Sequence, residues 1–320
     1  MRCILFKSFL ILLSGLFSSC IYEDLSACYK EIVFNYDLSV EATNGTVTEE
    51  MFINDVKDLS VFVFDCNGLY IGTWYFNADK IKTANKVPLN LPPGTYSMVM
   101  WGGLINNEYN VGVKSEVSEI NPLVVGKSKI EDFILKVLVS QNQNIVNAKY
   151  ENLYHSVLKN VKIEEKVNAK ITLPIKKISN DITVQLRGMP KRSVSSYSTY
   201  NYIDVFIEAD NGMYDYNGLV SDNATKLIYT PYERIENLAT DFLEVKMRMM
   251  DIFSTKSPQL VIKNAQLGTE MYRYDLKKLI QQIENPWSQI EYKIEIFYNT
   301  HGSVIIHVNT WIVEYIIVEH

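Results

Sequence analysis

Histidine and cysteine are both scarce in this chain of 320 residues, with four of each. That scarcity removes most routes to metal or nucleophile chemistry. His155, His301, His307 and His320 are scattered, and no Cys pair stands at zinc spacing. If the segment holding His301 and His307 is one continuous strand, six residues at ~3.3 Å each put the two rings ~20 Å apart, too far for one ion. There is no G-x-S-x-G elbow and no H-E-x-x-H. The run VGKS (125–128) lacks the first glycine of a phosphate loop, because Asn121 stands there, and reads as an ordinary loop. The acidic turns EADNG and YDYNG put Ala209 and Met213 where a calcium loop needs oxygen ligands, so they read as hairpin turns. Basic charge is also lacking. Lys and Arg number 31 against 37 Asp and Glu, a net charge of −6, and nucleic acid is not an expected partner. No catalytic residue, metal or cofactor is expected.

Long apolar runs are missing behind the first nineteen residues; WIVEYIIVEH (311–320) is short and carries Glu314 and Glu319. The start of the chain differs. Arg2 and Lys7 precede and interrupt the apolar stretch ILFKSFLILLSGLF, and Ser18 and Ser19 lead into Cys20. This reads as a secretory signal over residues 1–19. Two cleavage modes fit: an ordinary cut after a small residue, or a lipoprotein cut that leaves Cys20 first. Only a thiol can be turned into a thioether with diacylglycerol, and LFSSC has the required small residues before it, although Phe17 is less usual than Leu, Val or Ile. Cys20 is therefore the expected lipidation site, and Glu23 and Asp24 close behind it resemble the acidic surface-export signal of bacterial lipoproteins, which makes them the expected export signal. Loss of Cys3 and modification of Cys20 leave Cys28 and Cys66, in a compartment that permits disulfides. If EIVFNYDLSV pairs antiparallel with DVKDLSVFVFD and sets Val33 opposite Val61, Cys28 falls opposite Cys66. A bridge and two free thiols are both open.

The composition, 47% hydrophobic and 21% charged with 21 Tyr, suits a packed β protein. Strand and turn alternate almost throughout. DLSVFVFD and LYIGTWYF flank the hairpin signal Asn67-Gly68, and GTYSMVMWGG follows a Pro-Pro-Gly turn. IEDFILKVLV looks like the last strand of a first unit, and the polar run SQNQNIVNAKYEN (140–152) marks a boundary. Expected domains are 20–145 and 146–320, with Ser179-Asn180 a tight turn in the second. One helix is expected in YDLKKLIQQIENP: Leu276, Leu279, Ile280 and Ile283 share a face, Asp275 caps it and Pro286 stops it. Trp74 and Phe76 share a strand face and, like Trp101, Trp287 and Trp311, read as sandwich core ahead of a sugar platform. The expected class is all-β, two β-sandwich domains with few helices.

CIYEDLSAC, DLSVFVFDCNGLY and LPPGTYSMVMWGG together resemble the fimbrillin-associated anchor lipoproteins, the FimB-type fimbrial anchor and assembly family of Bacteroidetes-type bacteria. The resemblance implies two tandem transthyretin-like sandwiches and an outer-membrane base subunit. It further implies an acyl lipid on Cys20, fimbrial shaft subunits as partners, and assembly by strand donation between subunits. The alternative is a surface glycan-binding lipoprotein. The C-terminal segment SVIIHVNTWIVEYIIVEH is apolar on both faces. It reads either as a long last strand of the second sandwich or as a donor strand using Ile312, Tyr315, Ile316 and Val318.

Overall fold

In the computed structural model the described residues are 31–37 and 52–317. Positions 53, 85, 105, 107, 116–119, 140–143, 165–169, 190–199, 238–240, 254, 256, 287–288, 290 and 300–302 within that span are excepted. The first part contains β1 (Glu31–Asp37), β2 (Asp58–Phe64), β3 (Tyr70–Asn77), helix α1 (Ala78–Ala84), β4 (Lys86–Asn90) and β5 (Gly94–Gly102). It continues with β6 (Tyr109–Lys114), β7 (Ile120–Asn121), β8 (Phe133–Val137) and β9 (Ile145–Val146). Then come β10 (Tyr154–Ile163), β11 (Lys170–Pro174), β12 (Lys176–Lys177), β13 (Ser179–Arg187), β14 (Ile203–Ala209), β15 (Met213–Asp215) and β16 (Leu227–Tyr229). The chain proceeds through β17 (Glu233–Asn237), β18 (Phe242–Met250), β19 (Gln259–Asn264), β20 (Thr269–Asp275) and helix α2 (Leu276–Ile280). It ends with β21 (Glu291–Tyr298), β22 (Ser303–Val308) and β23 (Trp311–Ile317). The expected all-β class with few helices holds.

Two sandwiches result. In the first, the sheet β12-β10-β5-β2-β3 is a middle layer. The near-continuous apolar run of β2 explains this, since a strand covered on both faces has no polar side to alternate with. One face sends Phe62 and Phe64 onto Phe133 of the sheet β15-β8-β6-β7, at 5.0 and 5.9 Å between ring centroids. The other face buries Leu59, Val61, Val63, Met98 and Met100 against Phe52, Val56, Ile81 of α1 and Leu89 of β4. Phe76 is buried in this second cluster and half-buried Trp74 packs against it; Trp101 is core as expected, whereas Trp311 is 46% exposed. In the second sandwich, β17-β18-β13-β21-β22-β23 faces β20-β19-β14-β16-β9. Here alternation returns. In β21, Tyr292, Ile294, Ile296 and Tyr298 are buried while Glu291 and Lys293 are exposed. One apolar cluster runs from Phe62 and Trp101 through Tyr214 and Tyr229 to Ile294 and Ile306, so the sandwiches share a core.

Several sequence expectations are corrected. β1 pairs with β4 and, in parallel, with β11, so Val33 stands opposite Pro88 and Lys170 rather than Val61. Val61 is opposite Trp74 and Met100. The register that set Cys28 against Cys66 is lost: β2 meets its own hairpin partner and β5, leaving no free side for β1. The division at 145/146 does not match the pairing either. β9 joins the second sandwich, whereas β10, β11 and β12 (154–177) pair back onto β5 and β1. Ser179 and Asn180 are not a turn but the buried start of β13, where the chain passes between sandwiches. Ser179 Oγ accepts from Leu153 N–H (3.2 Å) and donates to Asn152 Oδ1 (3.0 Å); Asn180 Oδ1 accepts from Ile252 N–H (3.3 Å). The C-terminal segment is a hairpin, β22–β23, turned at Asn309-Thr310. Asn309 tolerates the left-handed φ of 56° and its Oδ1 accepts from Lys293 N–H at 2.9 Å. Helix α2 is shorter than the apolar spacing suggested. Its cap is as expected, with Asp275 Oδ1 accepting from Lys278 N–H at 3.0 Å, and Ile283 is buried beyond its end.

Two five-residue turns repeat one motif, Asp-x-Asn-Gly-Leu, at 65–69 and 215–219. In each, one Asp Oδ1 accepts from the Asn and Leu amides, at 2.8 and 2.8 Å in the first and 2.9 and 2.9 Å in the second. Gly68 and Gly218 supply φ of 74° and 72°. A Cβ on Gly218 would come within 2.5 Å of the His155 ring, whereas one on Gly126 (φ 70°) would meet nothing within 4 Å. Gly218→Ala is therefore expected to cost roughly 2–4 kcal/mol, from backbone strain plus overpacking, and Gly126→Ala only about 1. Urea unfolding of both variants checks this, and equal losses would remove the packing role of Gly218.

Candidate functional site

The joint between the sandwiches is built from the segment that the sequence marked as a boundary. Arg248 on β18 is 8% exposed. Its guanidinium donates to both Asp181 oxygens on β13, at 2.7 and 2.8 Å, and to the Tyr150 carbonyl at 2.8 Å. Burial alone would lower its pKa, but the paired bonds to Asp181 outweigh that and raise it. Tyr150 O–H donates back to the Leu138 carbonyl (2.6 Å), Glu151 N–H to Glu108 (2.7 Å) and Tyr154 O–H to Asp55 (2.8 Å). Lys177, buried nearby, has its pKa lowered by desolvation despite Asp181 at 3.8 Å. Residues 144–152 are thus a hub, not a loose linker. His155 beside it is buried against Trp101 (4.5 Å between ring centroids), bonds the Tyr216 carbonyl (3.1 Å) and has its pKa pushed down to about 3 by burial. It is a neutral packing residue.

The second feature is the free edge of the last hairpin. β23 closes its sheet, and its outer side has no strand partner among the described residues. A bulge at Ile306/His307 shifts the pairing, leaving Ile312 opposite His307 and Tyr315 opposite Ile305. At its tip Trp311 is 46% and Ile312 69% exposed, while Val313 is buried. Val318 lies outside the described residues, as do Cys20, Glu23, Asp24, Cys28, Trp287, His301 and His320. Cys66 is exposed at the first Asp-x-Asn-Gly-Leu turn.

A third feature is a cleft of about 700 Å³ at the open side of the first sandwich, between β3 and the residues around β7. Tyr75 in its wall is 74% exposed. The sequence signal for it was the alternation in GTWYF, which turns Tyr75 away from Trp74 and Phe76. The tempting motifs are structural. In VGKS, Ser128 Oγ accepts from Val124 N–H (2.9 Å). In EADNG, buried Asn211 donates to the Met250 carbonyl (3.0 Å) and accepts from Tyr229 O–H (2.7 Å). Among the described residues no group of three or more His, Cys, Asp or Glu is placed to hold a metal.

These features define a double β-sandwich built to present surfaces and edges. A family model for the fimbrillin-A associated anchor proteins Mfa1 and Mfa2 matches residues 25–316, and the chain belongs to that family. No curated protein matches the sequence significantly. Among solved structures, an adhesin candidate of Bacteroides ovatus superposes with a TM-score of 0.71 at 19% identity, covering 89% of this chain and 95% of that one. A candidate polysaccharide-binding protein of Bacteroides thetaiotaomicron gives 0.69 at 20% identity over 88% and 96%. The fimbrial anchor protein Mfa2 of Porphyromonas gingivalis gives 0.67 at 19% identity over 89% and 99%. At these identities the structures share the fold.

Arg248→Ala is expected to lower stability by about 3–5 kcal/mol, because it strands the Asp181 carboxylate and the Tyr150 carbonyl. The urea midpoint measures this, and a loss under ~1 kcal/mol would deny the clamp its role.

Proposed function

We propose that the protein is a lipid-anchored outer-membrane base subunit that holds a fimbrial shaft at the cell surface. Family membership supports the fimbrial anchor role. The observation that carries the membrane attachment is the leader running into Ser18-Ser19-Cys20. Residues 1–19 are removed, Cys20 takes a diacylglycerol thioether and a further acyl chain, and Glu23 and Asp24 direct the anchored protein outward. Two or more chains are needed for firm attachment, since one gives only marginal binding. Cys20→Ala is expected to abolish incorporation of radioactive palmitate and to release the protein, with its fimbriae, from the membrane fraction. Undiminished label would defeat the anchor.

The shaft is joined by strand pairing along the free edge of β23, with Ile312, Tyr315, Ile316 and Val318 contributing to the contact. An unpaired strand edge with an exposed Trp311-Ile312 tip is a template for addition and is costly to leave open. Removal of residues 312–320 is expected to leave a folded, anchored protein that no longer retains fimbriae, scored by thermal unfolding and electron microscopy of whole cells. Loss of the unfolding transition would make β23 a structural strand instead, and retained fimbriae would exclude the contact.

Glycan binding is a second reading that sits beside anchoring. One similar structure is described as a candidate for polysaccharide binding, and the exposed Tyr75 ring is the feature of this chain that favours it.

A further inference from the structure

The cleft at the open side of the first sandwich has the size of a small-ligand site and an unusual wall. Thr73, Tyr75 and Asn77 all line it. They are alternate residues of β3, about 6.5 Å apart, and the register sets them opposite Phe62, Ser60 and Asp58 of β2. A hydroxyl, a phenol ring and a carboxamide therefore follow one another along a rigid strand. Val111 of β6 and Leu104, Pro122 and Leu123 form the facing wall.

Each group is held in place without being used up. Thr73 Oγ1 shares a hydrogen bond with Tyr70 O–H at 2.6 Å, and Asn77 Oδ1 accepts from Lys80 N–H at 3.1 Å. A hydroxyl has further acceptor capacity and the Asn77 amide keeps its two donors. The Tyr75 ring, 74% exposed beside its small neighbour Ser60, is the odd member. Core packing gains almost nothing from it, and an exposed ring on a fixed strand offers a flat apolar face with a polar tip. Charge in the cleft is balanced between Asp58 and Lys80, and the Asp58 carboxylate accepts from the Gly103 and Leu104 amides at 3.2 Å each.

Building on the glycan-binding reading above, we infer that this cleft binds a neutral oligosaccharide, with the C–H face of a sugar ring stacked on Tyr75 and its hydroxyls bonded to Thr73 and Asn77. A hexose has the matching chemistry: one apolar ring face, and hydroxyls that both donate and accept. The competing occupant is an extended peptide added to the edge of β3. It would draw its affinity from main-chain bonds and would not depend on the Tyr75 ring.

The test is calorimetric titration of the full-length protein in detergent with maltohexaose, cellohexaose and β-1,4-mannohexaose, each up to about 10 mM. At least one is expected to bind with Kd of roughly 0.1–1 mM. Tyr75→Ala should weaken that binding about tenfold and Tyr75→Phe less than about threefold, because the ring and not the hydroxyl makes the stack. An unchanged melting temperature in both variants shows that the fold is intact. No heat from any of the three sugars, or equal affinity in Tyr75→Ala, overturns the site. Retention of fimbriae should not change with Tyr75→Ala, which separates this site from the anchoring function.

Discussion

Arg248 ties the paired strands β13 and β18 to the segment that connects the two sandwiches. It sits on β18, grips Asp181 on β13 through two bonds, and holds the carbonyl of Tyr150 in the connecting segment. Asp181 lies near the start of β13, an inner strand of the six-stranded sheet, and Tyr150 precedes the strand that returns to the first sandwich. A buried guanidinium is tolerated only when its donors are met, so the clamp ties the second sandwich to the entry of β10. Around it, Asp55, Glu108 and Ser179 satisfy the amides and side chains of residues 151–154. The shared core follows, because Trp101, His155 and Tyr214 can pack against one another only if β10 is held beside β5.

That rigidity suits the fimbrial anchor role of the family. From β23 the strand pairing runs laterally through β22 and β21 to β13, where the Arg248 clamp meets the segment that leads into β10. Both Asp-x-Asn-Gly-Leu turns fix points where the chain reverses, each through one Asp carboxylate. The first packs on the segment around Ile130, whose N–H donates to the Gly68 carbonyl at 2.9 Å, and the second packs on His155, which bonds the Tyr216 carbonyl.

The free edge of β23 and the cleft beside β3 belong to different sandwiches, which leaves room for two kinds of contact in one molecule. A strand edge recognises backbone and is indifferent to much of the partner's sequence. A cleft with an exposed ring and fixed polar groups recognises a compact ligand. Family membership gives the fimbrial anchor role; the strand edge and the cleft are the surfaces proposed above for the two contacts.

Much of this was readable in the sequence wherever the signal was local. The Asn67-Gly68 hairpin, the Asp275 cap, the burial of Phe76 with half-buried Trp74 beside it, and the all-β class each rest on residues a few positions apart, and the anchor-family resemblance rested on short quoted runs. The partners of β1, the return of β10 to the first sandwich and the turn at Asn309 were not readable. Asp181 and Arg248 are 67 residues apart, and β10 carries no mark of which sheet it will join. Period-two alternation tells a strand which face is buried but not which neighbour it meets. That choice is made by the combined packing of Trp101, His155 and Tyr214 and by the one arrangement in which Arg248 finds all its acceptors, and both exist only once the chain is folded.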